Sequence, residues 1–185
     1  MINFADLTRA EMAAVIVETL SAHGIEVALV GGGCVCVYTN ERFGSFDLDF
    51  IDMTYARRHA IVAALADIGF TPRGNSKYFE HPDCQWSVEF PTGPLAIGDE
   101  QIPSDKLAML ETAYGTVRLL SPTDSVKDRL LWWYLTRDSE CWLQALDIAT
   151  LHRIVWADLQ RWHIAEGYAE RFRAFRREVD RLRAG

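Results

Sequence analysis

The chain has 185 residues, 49% hydrophobic and 24% charged, the proportions of an ordinary globular protein with one sizeable core, or one domain and a smaller appendage. No run of about twenty apolar residues is present and the start Met1-Ile2-Asn3-Phe4-Ala5-Asp6 lacks the pattern of a secretory signal, so neither a membrane span nor export is expected and a cytoplasmic location is the default. The formal charge of −7 argues against a basic nucleic-acid coat, and it is uneven: residues 1–120 hold 8 Lys and Arg against 16 Asp and Glu, residues 121–185 hold 11 against 10.

Thr8-Arg9-Ala10-Glu11 is a capping box, followed at helical spacing by Met12, Val15, Ile16, Thr19 and Leu20, with Gly24 as the stop. Ile25 to Val30 is an apolar run that reads as a buried strand. Gly31-Gly32-Gly33 then reads as a sharp turn and Cys34 to Tyr38 as a short helix. Phe46 to Ile51 alternates apolar and acidic residues, the period of a strand with one polar face. Thr54 is expected to cap a helix running through Ile68, before Gly69. Short strands are expected near 70–73, 77–81 and 85–90, and a hairpin over Met109–Thr112 and Thr116–Leu120, joined around Gly115. At Ser121-Pro122-Thr123-Asp124 the grammar changes: a capping serine, a proline at the first helical position and an acid in the first turn open a stretch that stays helical almost to the end. The expected division is therefore an α/β domain over 1–120, a small mixed sheet with flanking helices, and a helical C-terminal subdomain over 121–185.

The four cysteines, Cys34, Cys36, Cys84 and Cys141, lack zinc-site spacing and read as buried free thiols. Asp47 and Asp49 stand two apart on a strand, so both carboxylates leave one face, and two anions held so close call for a cation between them. Hard oxygen donors in this arrangement suit Mg²⁺ or Mn²⁺. Phe46, Leu48 and Phe50 are expected to point the other way, into the core. Upstream, the strand running into Gly31-Gly32-Gly33 allows backbone N–H groups to approach a phosphate; downstream, Ser87-Val88-Glu89-Phe90 repeats the apolar–acid pattern and offers a third carboxylate.

Val30-Gly31-Gly32-Gly33, then Arg42, Ser45 and Asp47-Leu48-Asp49, then Glu89, resembles the hGG…[ST]xDxD…h[DE]h pattern of the nucleotidyltransferase superfamily, which includes polymerase-β-like transferases and minimal bacterial forms related to AbiEii-type toxins. Leu120-Ser121-Pro122-Thr123-Asp124-Ser125-Val126-Lys127-Asp128-Arg129-Leu130, with Arg137-Asp138 and Gln144-Ala145, is similar to small bacterial members with a helical C-terminal part. The resemblance implies that Asp47, Asp49 and Glu89 bind Mg²⁺ or Mn²⁺, that Gly31, Gly32 and Gly33 form the phosphate cradle, and that Lys127 reaches the nucleotide phosphates, with a plain surface lysine as the alternative. It implies transfer of a nucleoside monophosphate from an NTP to a hydroxyl on RNA, a protein or a small molecule, in a protein that is also one half of a toxin–antitoxin pair in some members. Gly33 and Cys34 stand where many members carry serine; Ser45 either compensates or is a turn residue.

The competing expectation is a binding protein that kept the fold and lost the chemistry. A dinucleotide-binding reading fails at the third glycine of GxGxxG, where Cys36 stands. His81 is expected to be structural or at a substrate edge. Tyr168, Phe172, Phe175, Val179 and Leu182 form one apolar helix stripe; the arginines off it are expected to form a solvated face, with an RNA or acidic-partner contact as the sharper alternative. Trp132, Trp133, Trp142, Trp156 and Trp162 are read as helix-packing residues.

Overall fold

The computed structural model describes residues 2–185. The N-terminal capping box forms as expected, with Thr8 and Glu11 bonding reciprocally at the start of α1 (Arg9–Ala22), whose Met12, Ile16 and Leu20 are buried. The chain then enters β1 (Val27–Val30) and passes directly into α2 (Gly31–Tyr38). β2 (Asp47–Asp52) returns antiparallel to β1, setting Leu29 opposite Phe50 and Val30 opposite Asp49. After α3 (Arg58–Ala66) come β3 (Thr71–Pro72), β4 (Tyr78–Glu80) and β5 (Ser87–Glu89), and β5 lies parallel to β2. A separate small hairpin, β6 (Ala96–Ile97) and β7 (Glu100–Gln101), precedes the expected one, β8 (Ala108–Thr112) and β9 (Gly115–Leu119). The result is a seven-stranded mixed sheet in the order β3-β4-β5-β2-β1-β9-β8, in an α+β fold.

The last strand ends at Leu119 and helices follow: α4 (Pro122–Thr136), α5 (Ser139–Leu151), α6 (Trp156–Ala165) and α7 (Ala169–Ala184). Ser121 caps α4 by accepting from the Asp124 amide, with Pro122 in the first turn. One hydrophobic core runs from α1 and the central strands through Val126 and Leu130 of α4 to Trp162, Phe175 and Val179. α4 and α5 pack on α2, which brings the helical part against the C-terminal end of β1.

Three local expectations are corrected. The glycine segment is the first turn of α2 itself, with Gly31 at φ +60°, and not a turn preceding a helix at Cys34. Phe46 precedes β2 and is 91% exposed, whereas Leu48 and Phe50 are fully buried as expected. Thr54 caps nothing: the Asp52 carboxylate accepts from the amides of Thr54 and Ala56, folding a local turn that delays α3 to Arg58.

Lys127 does not face a nucleotide cleft. Its side chain is 0% exposed and its ammonium is surrounded by Asp158 at 2.6 Å, Asp124 at 2.9 Å and Glu100 at 3.3 Å. Arg161 joins the same network through Glu100 and Asp158. Burial acts to depress the lysine's pKa, but the Asp158 and Asp124 carboxylates outweigh it and raise it. Lys127 thus ties the β6–β7 hairpin to α4 and α6. Removing it would leave carboxylates buried without their cation, so Lys127→Met is expected to destabilise the protein by about 3–5 kcal/mol in denaturant titration without any ligand present. A phosphate-binding lysine would instead leave unliganded stability unchanged.

Candidate active site

The parallel pairing of β2 with β5 places Asp47 beside Ser87 and Asp49 beside Glu89. Side chains two apart on a strand share a face, so Asp47 and Asp49 emerge together and Glu89 joins them from the neighbouring strand. Each offers one carboxylate oxygen, and the three oxygens lie within 4.8 Å of one another. The expected acidic triad is therefore assembled by sheet register alone. Among the described residues, the one cation directly bonded to it is Lys77, whose ammonium pairs with Glu89. The Tyr78 hydroxyl also engages Glu89, which raises its pKa.

Burial pushes the Asp49 carboxyl up to about 7, and the charges of Asp47 and Glu89 push in the same direction. A carboxyl held this far from its usual range is an anion short of a counter-charge. The donor set is all oxygen, which fits Mg²⁺ or Mn²⁺ and does not fit a soft metal.

The surroundings of the triad depend on small residues. A Cβ on Gly31 would lie 2.6 Å from Asp49 Oδ2, and one on Gly32 would lie 2.8 Å from Ser45 Oγ. A Cβ on Gly33 would press on Leu29 and Leu48 at 3.0 and 3.3 Å, so this glycine serves packing of α2 on the sheet. No side chain caps the N-terminus of α2, and no acid stands in its first turn, so its unpaired N–H groups are free to meet an anion. Cys34 supplies no substitute for the serine hydroxyl of the resembling pattern: its thiol is buried and donates to the Leu29 carbonyl at 3.0 Å. Ser45 sits over Gly32 and donates to Asp47 Oδ1 at 3.0 Å, so its observed role is to hold the first aspartate.

Arg9 was not singled out in the sequence, yet it fixes this segment. It is buried, donates to the Ser45 carbonyl at 3.1 Å and to Glu41, and its guanidinium lies 4.9 Å from the Trp86 ring. Its place as the first residue after a capping threonine carries no sequence signal of burial.

The triad opens into a cleft of about 600 Å³ whose far wall is α4 and α5, contributing Asp128, Arg129, Trp132 and Gln144. Arg129 pairs with Asp128 at 2.5 Å, and its charge acts to lower the Asp49 pKa, against the larger effects that raise it. Residues 127 and 129 are roughly 200° apart around a helix, so α4 turns Arg129 toward the cleft and Lys127 away from it. Arg42 lies outside this group, exposed and paired with Asp147 of α5 at 2.5 Å. His81 is likewise remote, packed against Phe4 and Phe70 with ring centroids at 4.3 and 5.2 Å. In α7 several arginines are packing residues: Arg176 lies 3.9 Å over Trp156, Arg171 over Tyr134, and Arg183 donates to the carbonyls of Ala149 and His152.

No protein-family model and no curated protein matches the chain. Among solved structures, an antigenic nucleotidyltransferase-like protein from Paracoccidioides brasiliensis superposes with a TM-score of 0.56 at 15% identity, over 77% of this chain and 76% of that one. The antibiotic-resistance factor ANT(2'')-Ia overlaps more loosely, with a TM-score of 0.49 at 14% identity, over 89% of this chain and all of that one. The first of these establishes a nucleotidyltransferase-like fold for the chain, and the expected fold class is the observed one.

The raised Asp49 pKa carries a definite sign. Unfolded, this carboxyl titrates near pH 3.9; folded and unliganded, it holds its proton to about 7. Between those values the folded state binds more protons, so its contribution to stability is complete below about pH 4 and is lost as pH rises through 7. Asp49→Asn, which cannot ionise, is expected to match the wild type in thermal melts at about pH 3.5, below the unfolded pKa, and to exceed it at about pH 8. Equal melting temperatures at pH 8 would show that the triad is not electrostatically strained.

Proposed function

We propose that the protein is a metal-dependent nucleotidyltransferase that moves a nucleoside monophosphate from an NTP to an acceptor hydroxyl. The observation that carries this reading is the Asp47–Asp49–Glu89 cluster, set by sheet register immediately beside the uncapped, glycine-built N-terminus of α2. The nucleotidyltransferase-like fold supports it.

In this reading the β- and γ-phosphates lie against the N–H groups of Gly32 and Gly33, where a Cβ at Gly31 or Gly32 would intrude on Asp49 or Ser45. Asp47, Asp49 and Glu89 are the residues that would hold the divalent metal. Mg²⁺ or Mn²⁺, when bound, supplies charge neutralisation of the attacking and leaving oxygens. The acceptor oxygen forms its bond to the α-phosphorus as the bond from the α-phosphorus to the bridging oxygen breaks, the hydroxyl proton passes to solvent water, and pyrophosphate departs with the bridging oxygen. Ser45 keeps Asp47 in orientation, and Arg9 keeps Ser45 in place. The acceptor is a hydroxyl on RNA, on a protein (a toxin–antitoxin partner included) or on a small molecule.

A second reading, a binding protein with a silent site, draws on the Lys77–Glu89 ion pair, which already neutralises the third carboxylate without a metal. The two readings separate by linkage. A live site at a hundredfold excess of Mg²⁺ and a non-hydrolysable NTP over Kd gains about 2.7 kcal/mol, which for a chain of this size raises Tm by roughly 5–10 °C. A silent site shows no shift.

The double variant Asp47→Ala, Asp49→Ala is expected to lose label transfer from α-labelled NTPs by at least about a hundredfold, while melting no lower than the unliganded wild type. Sorting the labelled product into RNA, protein and small-molecule fractions identifies the acceptor. Collapse of the unliganded double variant would mean that the aspartates are structural, and would overturn the assignment.

A further inference from the structure

Five of the six tryptophans are accounted for by packing. Trp133, Trp142 and Trp156 stack among the aromatics of α4, α5, α6 and α7, Trp162 is fully buried, and Trp86 lies under Arg9. Trp132 differs. It is 51% exposed, faces the cleft, and takes part in none of these ring or cation contacts among the described residues. An indole half in water on the wall of a cleft presents a flat apolar ring to whatever enters that cleft.

Gln144, on the same wall, is 6% exposed and carries a second unmet demand. Its Nε2 donates to Glu140 Oε1 at 3.0 Å. A carboxylate only accepts, so the amide orientation is fixed, with the NH₂ group on Glu140 and Oε1 at the other end. That Oε1 is buried and has no hydrogen-bond partner. A buried acceptor without a donor is destabilising, and it invites a ligand N–H or O–H.

The topology decides which ligand part this wall receives. In the sheet, β2 lies between β5 and β1. Glu89 and Lys77 are on the β5 and β4 side, whereas α2 begins at the end of β1 and packs on α4 and α5. In the nucleotidyl-transfer reading, an anion at the α2 N-terminus would thus have the α4–α5 wall, with Trp132 and Gln144, on one side and Glu89 on the other. We infer that Trp132 and Gln144 form the nucleobase subsite, the indole stacking on the base and the Gln144 carbonyl oxygen accepting a hydrogen bond from a base N–H. This assignment rests on the nucleotidyl-transfer reading and extends it to residues of the helical part. Stacking is tolerant of base identity, and a single acceptor discriminates weakly, so the subsite would secure the base more than select it.

The test is calorimetric titration, in Mg²⁺, of non-hydrolysable analogues of the four NTPs and separately of inorganic tripolyphosphate, into the wild type, Trp132→Ala, Trp132→Phe and Gln144→Met. Trp132→Ala and Gln144→Met are each expected to weaken the best-bound nucleotide analogue roughly tenfold, with tripolyphosphate affinity within about twofold of wild type, and Trp132→Phe is expected to keep most of the nucleotide affinity. Nucleotide affinity unchanged in both variants would overturn the subsite. So would an equal loss for tripolyphosphate, which marks damage to the cradle. A wild type that binds tripolyphosphate and nucleotide equally defeats the base subsite alone; a wild type that binds neither defeats the nucleotidyl-transfer reading with it.

Discussion

Three carboxylates brought together by sheet register are the constraint from which the rest of this structure follows. Pairing of β2 with β5 leaves Asp47, Asp49 and Glu89 no freedom to separate, and like charges at this range repel strongly wherever water is scarce. The fold tolerates this by raising the Asp49 carboxyl so that it holds its proton up to about pH 7, and by bonding Lys77 to Glu89. Neither device is permanent: a proton and an ammonium on a long side chain can both be exchanged. The core beneath, with Leu48, Phe50 and Val88 fully buried, supplies the burial that keeps the strands in register despite the repulsion above them.

Around that triad, geometry passes outward through a short chain of contacts. Trp86 and Glu41 hold Arg9, Arg9 holds the Ser45 carbonyl, and the Ser45 hydroxyl holds Asp47. On the opposite wall, α4 divides its two cations by helical phase. Lys127 turns inward to bind the β6–β7 hairpin through Glu100, and Arg129 turns toward the acidic cluster. The helical part is thus bound to the β6–β7 hairpin by a buried charge network and to the rest of the molecule by apolar packing, and it furnishes one wall of the cleft.

Much of the site was legible because its signals are local and periodic. The apolar–acid alternation of Asp47-Leu48-Asp49-Phe50 and of Ser87-Val88-Glu89-Phe90 survives in any half-buried strand, so both strands and all three acids could be named from spacing. The Ser121-Pro122 signal placed α4 to the residue for similar reasons. What escaped notice depended on competition or on phase. Three glycines disfavour a helix, yet here only glycine fits beneath Asp49 and Ser45, and packing overrides propensity. Thr54 is a good capping residue drawn instead into a turn on the Asp52 carboxylate, and α3 starts later without a side-chain cap. Lys127 and Arg129 lie in one conspicuous segment, and only the rotation of the folded helix shows which faces the cleft. The two-residue strands of the β6–β7 hairpin are too short to carry a pattern, and the Arg9–Ser45 contact spans 36 positions that nothing in either segment connects.

Val30 is both the last residue of β1 and the N-cap of α2. There is no connecting loop between them, so the strand that flanks the acids runs without a break into the helix whose glycines pack against Asp49 and Ser45. A residue inserted at this joint would displace the helix end and the acids relative to one another at once, whereas changes in α4 and α5 would touch only the opposite wall of the cleft.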